Sequence, residues 1–243
     1  MFLRGGGCIS VDVKLLPPGM ACVEFVIDCK DAMGANIVNT VMEGVATFIQ
    51  KLTGCRIGAR ILSNLCDKRL ARARCEIPYR AFAVDDCHDN GRVVAQKIVE
   101  TYEFARRDSY RACTHNKGIL NAADAILIAT GNDWRALEAG AHAYACRSGR
   151  YEPLSQFRLD DEKQKLLCEI ELPIAVGVVG GNLKKHPGVE KNLRILGNFA
   201  KSSQRLSAVV ASVALAENLA SLRALACEGI QSGHMALHHR KNA

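Results

Sequence analysis

The sequence has no Gly-x-Gly-x-x-Gly fingerprint, no Cys-x-x-Cys pair, and no unbroken run of the ~18–20 apolar residues that a membrane helix requires. These absences argue against a Rossmann nucleotide site, against a zinc finger or redox dithiol, and against a membrane-spanning segment. The opening Met1-Phe-Leu-Arg-Gly-Gly-Gly7 does not place an apolar stretch behind a charged one, so it does not read as a secretory signal, and a cytoplasmic protein is expected. There is no internal repeat and no low-complexity tract. What remains is ordinary: 243 residues, 49% hydrophobic and 23% charged, which is enough chain to bury a core in one or two domains.

Eleven cysteines are many, but the number is odd and the chain is not small, so a disulfide framework is not indicated. Cys22, Cys29, Cys146 and Cys227 sit in apolar or helical patterns where cysteine behaves as a small hydrophobe. Reduced, buried thiols and no metal site are the expectation. A formal charge of +7 raises the question of nucleic acid. The positive residues are spread out, however, and Lys184-Lys185 and His238-His239-Arg240-Lys241 lack interleaved aromatics for base stacking, so no nucleic-acid partner is expected.

The pattern of elements begins with strands at 11–16 and 22–28 across the turn Pro17-Pro18-Gly19. Ile37, Val41, Val45, Phe48 and Ile49 recur near the helical period, which predicts a helix over 36–52 closed by Gly54. A strand is expected at 56–62. Longer helices follow at 92–106, 117–128, 133–146 and 206–227, with strands at 165–172 and 174–179 on either side of Pro173.

The stretch Arg111 to Gly140 carries the chemistry. It sets Arg111, Asn116, Lys117, Asn121 and Asp133 around an apolar run, and charged groups in such a setting cost solvation energy unless they serve each other or a ligand. On the residues alone, a surface lysine and a helix N-cap aspartate ahead of Trp134 is the favoured reading of Lys117 and Asp133. Asp31-Ala-Met-Gly34-Ala-Asn36 leads from a strand into a helix, where a glycine and a helix N-terminus suit a pyrophosphate. Gly177, Gly180 and Gly181 are read as turns or close approaches, and His115, His142 and His186 as structural.

Six signatures in order resemble class II hydroxymethylglutaryl-coenzyme A reductases: Asp31-Ala-Met-Gly-Ala-Asn36, Ile61-Leu-Ser-Asn64, Arg111 through Asn-Lys117-Gly and Gly-Asn-Asp133, Gly140-Ala-His-Ala-Tyr144, Glu171-Leu-Pro to Gly180-Gly181, and Gly233-His-Met-Ala-Leu-His238. The resemblance implies a mixed α/β (α+β) fold. A small ferredoxin-like cofactor domain (1–65) would be inserted in a larger helix-rich domain for substrate binding and dimerisation (66–228), with 229–243 starting a C-terminal flap. It further implies two hydride transfers interconverting HMG-CoA with mevalonate plus coenzyme A, in a homodimer with a shared active site. The cofactor would be NADH, with NADPH possible. Phosphate-bearing ligands of this kind also account for the positive charge.

By the same resemblance, Lys117 and Asp133 are catalytic as a coupled pair, and His234 protonates the departing thiolate. Arg111 grips the substrate carboxylate and Asn121 ties the pair to the substrate oxygen. Asp31, Met33, Gly34 and Asn36 bind the cofactor, joined by Ser63 and Asn64. Two positions depart from the family pattern: Val178 stands where threonine is usual and Glu217 where glutamine is usual. No counterpart of the family's upstream Glu-Asn-Val-Ile-Gly segment occurs, and the flap is cut short. The alternative expectation is therefore a catalytically incomplete fragment or degenerate relative that folds and dimerises without turnover.

Overall fold

The computed structural model describes residues 5–83, 91–181, 183, 185–227 and 229–231. The chain divides into two compact units, Met1–Ser63 with Ala175–Leu206, and Asn64–Ile174 with Ser207–Ala243. A single cut after residue 65 places 175–206 in the larger domain, whereas this segment belongs to the first compact unit.

In the first unit, apolar Ile9, Val11, Val13 and Leu15 alternate with Ser10, Asp12 and Lys14 to make β1 (Gly7–Leu16), paired antiparallel with β2 (Met20–Asp28). Lys14, opposite Cys22, reaches diagonally across the hairpin to form an ion pair with Glu24. Helix α1 (Ala35–Thr53) follows and ends where expected: Gly54, at φ 69°, donates its N–H to the carbonyl of Gln50. The strand expected at 56–62 does not form. That segment is irregular, and the N–H of Leu62 is taken instead by the side chain of Asn39 at 2.9 Å. Nor does a strand form at 174–179, where the Val178 N–H bonds the Asp31 carbonyl at 2.9 Å. Helix α5 (Pro187–Leu196), not foreseen, starts with Pro187 in its first turn and His186 capping the Gly188 N–H. Among the described residues the unit has only the β1–β2 hairpin for a sheet. The β-α-β-β-α-β order of a ferredoxin-like domain is not present there.

The second unit is built on a three-stranded antiparallel sheet in the order β3-β5-β4, where β3 is Leu70–Pro78, β4 Ser155–Asp160 and β5 Lys165–Pro173. Leu166, Cys168, Ile170 and Leu172 of β5 are buried, and Glu169 and Glu171 alternate with them. The latter pair with Arg74 and Arg72 of β3. Three helices, α2 (Gly91–Arg107), α3 (Ser109–Ala129) and α4 (Trp134–Ala145), supply Val94, Ile98, Ile119, Leu120, Leu127 and Leu137 to the core.

Helix α6 (Ser203–Cys227) is long and apolar enough, by length and composition, to cross a membrane. Its Val210, Ala211, Ala214, Leu215 and Leu222 are buried within the fold, and its buried Asn218 is hydrogen-bonded to Ser155. In all, 33% of its most apolar 18-residue stretch is buried. The thiols depart from expectation. No disulfide joins the described cysteines, but Cys22 and Cys146 are exposed, Cys29 and Cys227 are intermediate, and of the described cysteines Cys168 alone is buried. Burial, then its cross-strand neighbour Cys75, raises the Cys168 thiol.

Candidate functional site

Helix α3 begins eight residues earlier than the pattern at Lys117 suggests, because Asp108 caps it by accepting the Arg111 N–H at 2.7 Å. Arg111, Lys117 and Asn121 are thus presented by one continuous helix. Lys117 and Asn121, four residues apart, share an exposed face. Arg111 lies six residues before Lys117, which turns it about 120° away around the helix.

Arg111 is half-buried, and its guanidinium pKa is lowered by burial alone. Among the described residues no carboxylate pairs with it. A planar fork held partly out of water without a partner is suited to a carboxylate ligand. Lys117 likewise has no ion-pair partner among the described residues.

Asp133 stands at the head of α4, where its carboxylate accepts the Ala136 N–H at 3.0 Å. The turn that delivers it is built by Asn132, whose N–H reaches the Leu127 carbonyl and whose amide bonds Thr130, with Gly131 at φ 69°. Lys117 and Asp133 are not brought together within one chain. Twelve residues of α3, about 18 Å of helix, separate Lys117 from the end where the turn begins.

The inner face of α3 carries groups whose arrangement the sequence did not reveal. Asn116 clips the chain before β4, donating to the Glu152 carbonyl at 2.9 Å and accepting the Leu154 N–H at 3.0 Å. Beside it, His115 Nε2 lies 2.7 Å from Ser155 Oγ, which donates to the Asn218 side-chain oxygen, also at 2.7 Å. Burial, then the charge of Arg111, lowers the His115 pKa to about 3. His115 is therefore neutral, and His142, bonded to Tyr151, and His186, a helix cap, are equally structural. Asp124 Oδ1 of α3 is buried without a hydrogen-bond partner, and burial, then Glu138 of α4, raises the Asp124 pKa to about 7. His115, two residues before Lys117, lies about 160° from it around α3, whereas Asp124, seven residues after it, returns to within about 20° of the same face.

In the first unit, Asp31, Met33, Gly34 and Asn36 form the connection from β2 to α1. No acidic residue or side-chain cap occupies the first turn of α1, so its leading N–H groups remain suited to an anion such as a pyrophosphate. Gly34 is needed for another reason too: at φ 114° it lies where a Cβ would come within 2.9 Å of Cys29 Sγ. The Asp31 carboxylate accepts the Ser203 N–H at 2.8 Å, an anchoring role. A Cβ on Gly177 would come within 2.4 Å of the Met33 nitrogen, so this glycine allows a close approach. Ser63 is exposed. Asn64, in the second unit, is exposed, and its carbonyl would lie 2.5 Å from a Cβ on Gly140 of α4. Glu217 is exposed on α6, Val178 is intermediate, and His234 lies outside the described residues.

The fold is mixed α/β: one unit holds a hairpin and α1, and the other carries on α3 an arginine and a lysine with no ion-pair partner among the described residues. The hydroxymethylglutaryl-coenzyme A reductase family model matches residues 2–239, and the chain belongs to that family, on its class II side. The 3-hydroxy-3-methylglutaryl-coenzyme A reductase of Archaeoglobus fulgidus is 46% identical over 98% of this chain and 53% of its own length. A probable reductase of Borreliella burgdorferi is 36% identical over 98% and 54%. Among solved structures, the class II reductase of Streptococcus pneumoniae bound to NADPH in open conformations is 43% identical, with a TM-score of 0.87 over 97% of this chain and 56% of that one. Another structure of the pneumococcal reductase is 42% identical with a TM-score of 0.88. The chain spans about half the length of these relatives.

Proposed function

We propose that the protein carries the substrate-binding and lysine-bearing part of a nicotinamide-dependent reductase that interconverts HMG-CoA with mevalonate and coenzyme A. The observation that carries this reading is Arg111, half-buried and unpaired on the helix that also presents Lys117 and Asn121, in a chain whose family membership runs over nearly its whole length. Arg111 binds the substrate's free carboxylate. Lys117 places an ammonium at the thioester carbonyl, where it stabilises the negative charge that develops on oxygen. Asn121, one turn further, orients that oxygen by donating its amide N–H.

Because Lys117 and Asp133 stand far apart along one chain, the reading places Lys117 of one subunit with Asp133 of the partner subunit in a homodimer. His234 is assigned the proton for the thiolate, as imidazole titrates near working pH. A nicotinamide dinucleotide supplies hydride when bound. Its pyrophosphate fits the start of α1 at Gly34 and Asn36, with Met33 alongside and Asp31 holding the connection in place. Nothing in these residues selects NADH over NADPH.

The test is HMG-CoA-dependent oxidation of NADH and of NADPH. Oxidation that requires the thioester and disappears in Lys117→Ala supports the reading. Turnover indifferent to Lys117→Ala rejects it. The chain spans about half the length of its relatives, and the alternative to turnover is a protein that folds and pairs without it. It would show as HMG-CoA binding without cofactor oxidation.

A further inference from the structure

His115 of α3 is buried, and the proposed chemistry gives it no task. Its Nε2 lies 2.7 Å from Ser155 Oγ, and the Ser155 hydroxyl gives its single proton to Asn218 Oδ1, also at 2.7 Å. Ser155 has no second proton for the ring, so Nε2 carries one and donates it to Ser155. A neutral imidazole holds one N–H, which leaves Nδ1 as a bare lone pair. That atom is buried and has no partner. An unmet acceptor in a water-poor interior is costly and calls for a donor.

Arg111 stands one turn earlier on the same helix, and residues at that spacing are neighbours on one face. A helical side chain leans towards the helix N-terminus, which carries the His115 ring over the turn that starts at Arg111. The Ser155 bond and the Tyr102 ring, its centroid 6.5 Å away, hold the imidazole in place. Arg111 is half-buried, offers donors only, and pairs with no carboxylate among the described residues. One turn of α3 therefore sets an acceptor without a donor beside a set of donors without an acceptor.

We infer that His115 positions Arg111: on substrate binding the guanidinium donates one N–H to His115 Nδ1, and this contact turns the rest of the fork towards the substrate's free carboxylate. His115 is a positioning residue and touches no reacting atom. Ser155 and Asn218 act one step further back, by keeping the proton on Nε2 and the lone pair on Nδ1. Burial, then the charge of Arg111, lowers the ring's pKa to about 3, so the lone pair persists at neutral pH. The inference rests on the assignment of Arg111 to the substrate carboxylate.

Two amide variants separate the ring nitrogens, because a glutamine amide reaches the place of Nε2 and an asparagine amide that of Nδ1. His115→Gln keeps a donor for Ser155 and removes the acceptor, whereas His115→Asn keeps an acceptor and gives up Ser155. With HMG-CoA binding followed by calorimetry, His115→Gln should bind about 10-fold or more weakly, the order of one hydrogen bond to a charged group. His115→Asn should bind nearly as the native protein does, despite a lower urea midpoint. A histidine that only packs gives the reverse order, and native affinity in His115→Gln would overturn the inference. Should either variant not fold, nitrogen NMR of the native histidines decides. A proton on Nε2 with an Nδ1 signal that moves on adding HMG-CoA supports the inference; a proton on Nδ1, or an Nδ1 signal that the ligand leaves in place, overturns it. Failure of the reductase reading shows separately, as a native protein that does not bind HMG-CoA, and the inference falls with it; native binding with an unaffected His115→Gln sinks the inference alone.

Discussion

Asn116 and Lys117 are neighbours on α3 that face opposite ways: the amide of Asn116 is buried and clips both the Glu152 carbonyl and the Leu154 N–H, while Lys117 is exposed. The clip fixes the rotation of the helix, and with it the face that Lys117 and Asn121 present. Asn116→Ala would strand two backbone groups. Each buried polar group left without a partner costs about 1–3 kcal/mol. A lowered urea midpoint is the expected outcome, and a midpoint equal to that of the native protein would show that water replaces the clip.

Exposed Lys117 makes no contact that the fold requires. Lys117→Ala should therefore leave denaturation within about 0.5 kcal/mol of native while cutting turnover about 100- to 1,000-fold, the usual effect of removing one oxyanion-stabilising donor. Arg111→Lys keeps the charge and loses the fork, so the KM for HMG-CoA should rise more than kcat falls. Equal losses in both constants would move Arg111 from substrate binding into the reaction step.

Gly34 and Gly177 separate two demands on the cofactor side. Gly34→Ala meets both an unfavourable φ and the Cys29 sulfur, and it should destabilise the fold by an amount of order 1–3 kcal/mol. Gly177→Ala has no positive φ to violate, but its methyl would press on the Met33 backbone. It should weaken nicotinamide dinucleotide binding, measured by calorimetry, with little change in coenzyme A binding. Equal weakening of both ligands would remove Met33 from the cofactor site.

What the sequence disclosed and what it hid divide along physical lines. The β1–β2 hairpin and α1 were legible because their signals are local: alternation around Pro17-Pro18-Gly19, and a helical period ended by Gly54. β3 was hidden because its inward residues, Ala71, Ala73 and Cys75, are small, and its outward Arg72, Arg74 and Glu76 are not strand formers. Apolar residues at 56–62 and 174–179 imitated strands, yet their backbone groups are satisfied at long range, by the Asn39 side chain and the Asp31 carbonyl. In the candidate site, residue identities came through family resemblance, but which of them share a face did not. The roles of His115, Ser155 and Asn218 depend on contacts between residues 40 and 63 positions apart, which no local pattern encodes.

His115 provides a pH test. Its folded-state pKa is lowered from 6.5 to about 3 by burial and then by Arg111, so the unfolded chain binds a proton that the folded one refuses. Stability from this group is complete above about 6.5 and is lost as pH falls towards about 3. At about 1.4 kcal/mol per unit, the effect amounts to a few kcal/mol across the window. His115→Gln keeps an N–H that can be offered to Ser155 Oγ and removes the titration. The variant should be less sensitive to acid than the native protein, although its stability at neutral pH is lower because the buried packing is altered. If His115→Gln retains the native acid dependence between pH 6.5 and 3, the histidine is not the group that senses it, and the buried His115–Ser155–Asn218 chain is wetter than its geometry indicates.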